Sequence, residues 1–180
     1  MAAIVALAGR RIDPPNADTT RFPARNIERV RNEIRRELKN QHAQWLVSSA
    51  AAGADLLAVK AAINLGITSR IVLSPGVREF ERISVEDRGS YWTQEFENAI
   101  AAIVPDNIAC IPAEPDMVDT FRSINERILS DAVALSVSRS RELVCFAVWD
   151  GIKRGENDFS ADFVERAVKR GLPVTHISTV

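Results

Sequence analysis

The sequence has 180 residues, of which 46% are hydrophobic and 26% are charged, and its formal net charge is −1 at pH 7. This length and composition are typical of one globular domain, so we expect residues 1–180 to fold as a single unit. The near-neutral charge argues against binding nucleic acid through bulk charge. No apolar run approaches the roughly 18 residues of a membrane span, and the N-terminus lacks a signal peptide's basic lead. We therefore expect no membrane contact and a cytoplasmic location.

Metal and common cofactor chemistry find little support in the sequence. Cys110 and Cys145 lie in apolar runs, which indicates buried side chains without a redox or metal role. His42 and His176 stand alone, without the spacing of metal ligands. The glycine-rich motifs of P-loop ATPases and of NAD-dependent dehydrogenases are both absent from the sequence. We therefore expect no metal and no cofactor.

Apolar runs alternate with amphipathic helical patterns along the chain. Six runs predict strands at residues 3–8, 45–48, 70–73, 108–111, 143–149 and 174–177. Helical patterns predict five helices, over about 27–38, 55–65, 90–103, 118–135 and 160–170. Most of the predicted strands are apolar at successive positions, which suits strands covered by helices on both faces. The pattern predicts a doubly wound α/β fold, Rossmann-like, with a mainly parallel sheet and helices on both faces.

Ligands of doubly wound folds bind beyond the carboxyl ends of the strands, where the strand order reverses. The residues after each predicted strand are therefore candidates for a site. After the first strand, Gly9 permits close approach of the backbone, and the guanidinium groups of Arg10 and Arg11 suit phosphate or carboxylate recognition. The alternative is that this arginine pair is solvated on a long loop.

Small residues follow the second strand and lead into a helix. Ser48, Ser49, Ala51 and Gly53 would leave the backbone N–H groups at the helix start accessible, and the helix dipole would add to an anion site. Asp55 then either contacts the ligand or caps the helix. The alternative is that the small residues only allow tight packing of the helix on the sheet.

Residues 74–88, after the third strand, are interpreted as a long loop that covers the strand ends. Arg88 in this loop either contacts the ligand or pairs with Asp87 at the surface. We hold both interpretations open, because a loop with charges of both signs is compatible with either.

The fifth strand ends in Trp149-Asp150-Gly151, and Arg154 follows shortly after. Trp149 either offers a flat face to a base or ribose, or is an ordinary core residue. Asp150 is a candidate for binding ribose hydroxyls or for acting as a general base. Gly151 makes the following segment pliant, so that it can adapt to a ligand.

The order of these motifs resembles the SLOG superfamily, which unites the fold of DNA-processing protein A with that of the LOG phosphoribohydrolases. The resemblance rests on residues 9–13, 21–23 and 48–57, and on Ser84-Val85, Trp92, Phe96, Asn125, Ile128-Leu129 and 149–151. It spans nearly the whole chain and is strongest to bacterial SLOG domains of signalling and antiviral defence proteins. It implies a Rossmann-like fold that binds nucleotides or NAD-derived signals such as cyclic ADP-ribose. It also implies a homo-oligomer, and the predicted fourth helix is apolar enough to pair two copies, although the same residues suit the core of the domain equally well.

One departure from the family pattern bears on catalysis. LOG enzymes carry Pro-Gly-Gly-x-Gly-Thr-x-x-Glu after the corresponding strand, and residues 149–160 of this chain lack that motif. Three functions therefore stay open: a nucleotide sensor, an N-glycosidic hydrolase and a single-stranded DNA binder. A hydrolase would use Asp150 and Asp55, because a carboxylate stabilises positive charge developing on the ribose. The low aromatic content, 6%, argues against the DNA binder.

The sequence thus predicts a small-molecule nucleotide ligand and a site at the carboxyl ends of the strands. The predicted ligand-binding residues are Gly9, Arg10, Arg11, Ser48, Ser49, Ala51, Gly53, Asp55, Arg88, Trp149, Asp150, Gly151 and Arg154.

Overall fold

Six strands form one parallel sheet in the computed structural model, which describes residues 2–180. The strands are Ala3–Gly9 (β1), Trp45–Ser48 (β2), Thr68–Leu73 (β3), Ile108–Cys110 (β4), Glu142–Trp149 (β5) and Val174–Ser178 (β6). Their order in the sheet is β4-β3-β2-β1-β5-β6, and every neighbouring pair is parallel. The chain runs outwards from β1 to β4 and then returns to place β5 on the other side of β1. The strand order therefore switches between β1 and β5.

Six α-helices connect the strands. They are Ile27–Asn40 (α1), Ala54–Asn64 (α2), Val77–Ser84 (α3), Ser90–Ala102 (α4), Met117–Arg139 (α5) and Phe159–Lys169 (α6). Helix α2 contacts α1 and α4, whereas α5 contacts α6, so the helices form two layers. Right-handed crossovers that run in opposite directions from β1 place these layers on opposite faces of the sheet. The predicted doubly wound, Rossmann-like fold is confirmed.

The core follows directly from the apolar patterns of the sequence. Val30, Ile34 and Leu38 lie at helical spacing along α1 and are fully buried against the rest of the molecule. The central strand β1 is buried along nearly its whole length, as expected for a strand with a helical layer on each face. Gly66 and Gly171 follow α2 and α6 with positive φ angles of 70° and 68°, a conformation that ends helices readily.

The segment after β3 differs from the prediction of a long loop, because residues 77–84 form helix α3. Phe80 and Ser84, one turn apart, are its buried face, and the ring of Phe80 stacks on Phe96 with centroids 6.1 Å apart. The helix has only two turns, and three charged residues, Arg78, Glu79 and Arg82, lie outside its buried face. Such a short stretch gives little periodicity, which is why the sequence pattern does not reveal it.

The prediction that both cysteines are buried is wrong for Cys110, which is exposed, whereas Cys145 is buried and both are unpaired. Cys110 ends β4, a three-residue strand at the edge of the sheet, so it has a neighbouring strand on one side only. Cys145 lies in β5, next to the central strand, and burial raises the pKa of its thiol to about 12. Among residues 2–180, no helix is both long and apolar enough to cross a membrane.

Candidate functional site

A cavity of about 590 Å³ lies above the carboxyl ends of β1 and β2, beside the point where the strand order switches. It is lined by Ala8, Gly9, Arg10, Arg11, Ile12, Asp13, Pro14, Ala17, Asp18, Thr19, Arg21, Ser49, Ala51, Asp55, Phe80, Ser84, Arg88, Phe121, Ile124, Asn125, Ile128, Asn157, Asp158, Phe159 and Ser160. The volume lies in the range of small-molecule sites, and the place is where doubly wound sheets bind their ligands.

One side of the cavity is formed by the loop after β1, which is folded back on itself. One carboxylate oxygen of Asp13 accepts hydrogen bonds from the backbone N–H groups of Arg21 and Phe22, each at 2.9 Å. Phe22 is fully buried, and the hydroxyl of Thr179 donates to the carbonyl of Arg21. These bonds fix the two ends of the loop, whereas its residues 14–20 are exposed to solvent. Arg10 is buried and Arg11 is partly buried, which argues against the alternative of a solvated arginine pair.

The turn before α2 is packed against the segment that follows β1. The backbone N–H of Ile12 donates to the carbonyl of Ala52 at 2.9 Å, and that of Ala54 donates to the carbonyl of Arg10 at 3.0 Å. Gly53 has a φ angle of 131°, and a Cβ there would lie 2.5 Å from the Ile12 nitrogen. The sequence predicts that the backbone N–H groups of this turn are accessible to a ligand. The structure differs, because the N–H of Ala54 already donates to Arg10 and protein atoms cover Gly53.

Gly9 has a similar packing role. A Cβ at this position would lie 2.4 Å from the carbonyl oxygen of Val148 and 2.5 Å from the Cβ of Ala54. Only glycine therefore allows β1, β5 and the start of α2 to meet at this distance. Gly9 also lines the cavity, so its backbone is both a packing surface and part of the floor of the site.

Arg10 is the centre of a buried ion cluster rather than a free phosphate ligand. Its guanidinium donates two hydrogen bonds to Asp150, both at 2.9 Å, and two to Asp158, at 2.6 and 2.8 Å. It also donates to the carbonyl of Ile152 at 2.9 Å and is only 6% exposed. Arg154 completes the cluster through its own bond to Asp150 at 2.8 Å. These bonds tie the end of β1 to the segment after β5.

Asp150 is fully engaged within this cluster. Its side chain is 1% exposed, and its two oxygens accept from Arg10 and Arg154, respectively. Burial raises the pKa of Asp150, but the bonds from Arg154 and Arg10 outweigh this and hold the pKa below its ordinary value. Such a carboxylate is a weak base, and it does not line the cavity, so the geometry gives no support to a ribose-binding or general-base role.

Trp149 contacts protein groups on both sides. The guanidinium carbon of Arg10 lies 5.4 Å from the centre of its ring, and His176 packs edge-on with ring centroids 6.3 Å apart. The ring nitrogen Nε2 of His176 is 2.9 Å from the carbonyl oxygen of Trp149. These contacts favour the interpretation of Trp149 as a packing residue at the end of β5.

The structure therefore divides the predicted ligand-binding residues into two groups. Seven of them line the cavity: Gly9, Arg10, Arg11, Ser49, Ala51, Asp55 and Arg88. The other six are not among its lining residues: Ser48, Gly53, Trp149, Asp150, Gly151 and Arg154. Ligand contact stays a prediction for the first group, of which Arg10 has its guanidinium already bound to protein.

Two cations converge at one wall of the cavity. Arg11 and Arg88 both pair with Asp87, whose side chain is about half exposed. Arg88 is held in place because its Nε donates to the carbonyl of Ile12 at 2.8 Å. Burial and then repulsion from Arg88 lower the pKa of Arg11, although a guanidinium stays charged at neutral pH. Two guanidinium groups that share one exposed carboxylate are suited to bind an anion.

Asp55, in the first turn of α2, is a buried carboxyl group at the floor of the cavity. It is 6% exposed, and its Oδ1 has no hydrogen-bond partner among the described residues. Burial raises the pKa of Asp55 to about 7, although the backbone N–H groups of Ala51 and Gly9 and the charge of Arg11 oppose this rise. Asp55 is therefore close to half protonated at neutral pH and is able to give or take a proton there.

A further wall, missed by the sequence analysis, is apolar and comes from α5 and α6. The rings of Phe121 and Phe159 lie 4.9 Å apart, and Ile124 and Ile128 line the same region. Asn125 donates its Nδ2 hydrogens to the carbonyl of Phe159 and to Asp162, each at 2.9 Å, which leaves its Oδ1 as an acceptor. The apolar stripe on α5 is visible in the sequence, but its spacing does not tell a cavity wall from a core face.

The fold and the cavity together define a Rossmann-like α/β protein with a ligand-sized site at the switch point of its sheet. Within residues 2–180, no group of three metal-ligating side chains is present. No family model matches the sequence, and no curated protein matches it.

Among solved structures, the chain is similar to DNA processing protein A from Streptococcus pneumoniae, with 14% sequence identity and a TM-score of 0.43. The match covers 96% of this chain and 58% of the other, so the chain spans less than two thirds of the length of that structure. No property of that protein is carried over to this chain.

The raised pKa of Asp55 predicts that the protein loses stability as the pH rises. In the folded state the carboxyl group of Asp55 keeps its proton up to about pH 7, whereas its ordinary pKa is 3.8. The folded state therefore binds more protons than the unfolded state between these two pH values, and the free energy of unfolding falls as the pH rises through this range. Replacing Asp55 by Asn removes this fall, and we expect the variant to gain on the order of 4 kcal/mol relative to the unchanged protein by pH 8. Urea unfolding at pH 5, 6, 7 and 8 measures the difference.

The control for this series is Asp18→Asn, an exposed carboxyl at the rim of the same cavity. Its stability relative to the unchanged protein is expected to stay constant across the pH range. A constant difference for Asp55→Asn as well would contradict the burial of a neutral carboxyl group at this site.

The ion cluster predicts that Arg10 is required for stability. Arg10→Ala leaves Asp150 and Asp158 as buried charges without their main partner, and we expect a loss of about 3–5 kcal/mol in the free energy of unfolding. The control, Arg82→Ala, removes an exposed arginine that pairs with Glu79, and we expect little change in stability because solvent screens such a pair. Equal midpoints of urea unfolding for the two variants would show that the cluster has no special role.

Proposed function

We propose that this protein is a SLOG-like domain that binds a nucleotide or a nucleotide-derived signal in the cavity at the switch point. The proposal rests on one observation: the same cavity has one positively charged wall and one aromatic wall. One wall brings the guanidinium groups of Arg11 and Arg88 together, and the other presents the rings of Phe121 and Phe159. A nucleotide has the matching parts, an anionic phosphate and a flat apolar base.

The arginine wall supports phosphate binding through its charge. Arg11 and Arg88 share only Asp87, and that carboxylate is accessible to solvent, so an incoming phosphate is able to replace it. Guanidinium groups present parallel donors that match two phosphate oxygens. The buried Nε of Arg11 has no partner in the described residues and is one donor available to a ligand.

The aromatic wall supports base binding through its shape. Phe121 lies in the second turn of α5 and Phe159 begins α6, the two helices of one layer, whereas Arg88 follows α3 of the other layer. Both layers therefore contribute walls to the cavity. A base that lies against these rings buries apolar surface and gains from aromatic contact. The acceptor Oδ1 of Asn125 lies beside them and is suited to an amino group on the base edge.

Equilibrium dialysis of the full chain against AMP, NAD, ADP-ribose and cyclic ADP-ribose tests this function. We expect one of these compounds to be retained intact. Arg11→Ala is expected to weaken its binding about tenfold to a hundredfold, because it removes charge-assisted hydrogen bonds to phosphate.

Arg82→Ala is the matched control, since it removes an arginine that is also paired with an exposed carboxylate but lies outside the cavity. Its affinity for the retained compound is expected to equal that of the unchanged protein. Retention of none of the four compounds, or equal affinity in Arg11→Ala, would refute the proposal and make single-stranded DNA the next ligand to test.

The protonation of Asp55 favours a second candidate function, the hydrolysis of an N-glycosidic bond. In that reaction water adds to the anomeric carbon, the bond to the base breaks, and the base leaves with a proton. A carboxyl group with a pKa of about 7 is able to donate that proton at neutral pH. Asp150, the other candidate from the sequence, is held by Arg10 and Arg154 and is not placed to take part.

Chromatography of the same mixtures separates binding from hydrolysis. If the protein is a hydrolase, free base accumulates from one nucleotide, and Asp55→Asn slows its release by about a hundredfold to ten-thousandfold. Glu79→Gln, on the exposed face of α3, is the control and should keep the full rate. Stable nucleotides in every mixture, with one of them retained, would exclude the hydrolase and support the binding domain.

A further inference from the structure

Three buried polar atoms of the cavity lining have no hydrogen-bond partner within residues 2–180. They are Oδ1 of Asp55, Oγ of Ser84 and Nε of Arg11, and all three residues line the cavity. Buried polar atoms are nearly always paired, because an unpaired one loses its hydration without compensation. All three belong to residues that line one ligand-sized cavity, and this indicates that a ligand supplies the missing partners.

We propose that Asp55, Ser84 and Arg11 form a subsite for the hydroxyl groups of a ribose, so that the cavity selects ribonucleotides over 2′-deoxyribonucleotides. This inference rests on the proposed nucleotide binding and names the part of the nucleotide that these residues recognise.

Backbone hydrogen bonds hold the three residues in one region. The N–H of Ala52 donates to the carbonyl of Ser84 at 3.1 Å, which joins the end of α3 to the turn before α2. Arg11 pairs with Gly53 of the same turn as an isolated antiparallel bridge, and Asp55 lies two residues further along. The region is therefore built from three chain segments that are fixed to one another before any ligand arrives.

The donors and acceptors of this subsite match a pair of hydroxyl groups. An ionised carboxylate only accepts, the Nε of an arginine only donates, and a serine hydroxyl does both. A ribose hydroxyl is able to donate to Asp55 and accept from Arg11, while its neighbour exchanges a hydrogen bond with Ser84. A phosphate dianion is disfavoured beside the ionised form of Asp55, because its oxygens have no hydrogen to donate and its charge repels the carboxylate. A hydroxyl group both donates and accepts, so it pairs with either protonation state of the carboxyl group.

The position of Arg11 links this subsite to the phosphate wall. Its terminal nitrogen Nη2 points to Asp87, in the region assigned to phosphate, whereas its Nε is buried and without a partner. The sugar of a nucleotide is bonded directly to the phosphate, so one guanidinium is able to contact both. The base is attached at C1′, at the end of the sugar away from the phosphate, and is then left for Phe121 and Phe159.

Isothermal titration of the full chain with AMP and with 2′-deoxy-AMP tests the subsite. We expect the unchanged protein to bind AMP at least about tenfold more tightly, because a site built to pair a hydroxyl rejects the analogue that lacks it. The variant that loses the partner of the 2′-hydroxyl, Asp55→Ala or Ser84→Ala, is expected to bring this preference close to one, by weakening AMP while changing 2′-deoxy-AMP less than about twofold. The other variant loses a contact to the 3′-hydroxyl, which both nucleotides carry, and keeps the preference. Full preference in both variants overturns the subsite.

The ratio of the two affinities is the decisive readout, since a general disturbance of the fold weakens both nucleotides equally. Ser130→Ala, on α5 and outside the cavity, is the control for Ser84→Ala and should keep the full preference. Equal binding of AMP and 2′-deoxy-AMP by the unchanged protein overturns the subsite and leaves nucleotide binding intact. No binding of either nucleotide at millimolar concentration overturns the subsite, and the proposed function is overturned with it when NAD, ADP-ribose and cyclic ADP-ribose are not retained either.

Discussion

The ion cluster around Arg10 determines how the two halves of this molecule meet. It consists of Arg10, Asp150 and Asp158, which are buried, and of Arg154, which is partly exposed, so two positive and two negative charges meet there. Burying charges costs much desolvation free energy, which is recovered only when every partner is in place. The end of β1 and the segment after β5 are therefore fixed relative to one another. Because Asp158 also caps α6, the same cluster places Phe159 at the cavity wall.

The charged groups near the switch point fall into two classes by how well they are paired. Asp150 and Asp158 have pKa values held low, against the effect of burial, by hydrogen bonds from arginines and backbone N–H groups. Asp55 is equally buried but has no arginine bonded to it, and its pKa is raised. Groups whose pairing is complete maintain the structure, whereas a group left unpaired inside a cavity is the one available to a ligand.

Much of the fold could be predicted from the sequence, because six successive apolar runs define the strands and their order of appearance. Helix α3 could not, since two turns with one buried face give too little periodicity. The site was predicted only in part, because the rule that ligands bind at strand ends locates the rim of the sheet and says nothing of side-chain direction. Trp149 and Asp150 end β5 at that rim, yet their side chains pack against Arg10 and its partners. Phe121 and Phe159 reach the cavity through tertiary packing that no local pattern encodes.

The number of available carboxylates favours a binding domain over a hydrolase. Glycosidic hydrolysis commonly uses two carboxyl groups, one to protonate the leaving group and one to stabilise the sugar cation or activate water. Of the other carboxylates lining the cavity, Asp13 holds two backbone N–H groups, Asp158 is bound to Arg10, and Asp18 is exposed at the rim. Among the described residues that line the cavity, Asp55 is therefore the one carboxyl group that is both buried and incompletely paired. A single carboxyl group of this kind is sufficient to recognise a hydroxyl, and recognition alone is what a sensor requires.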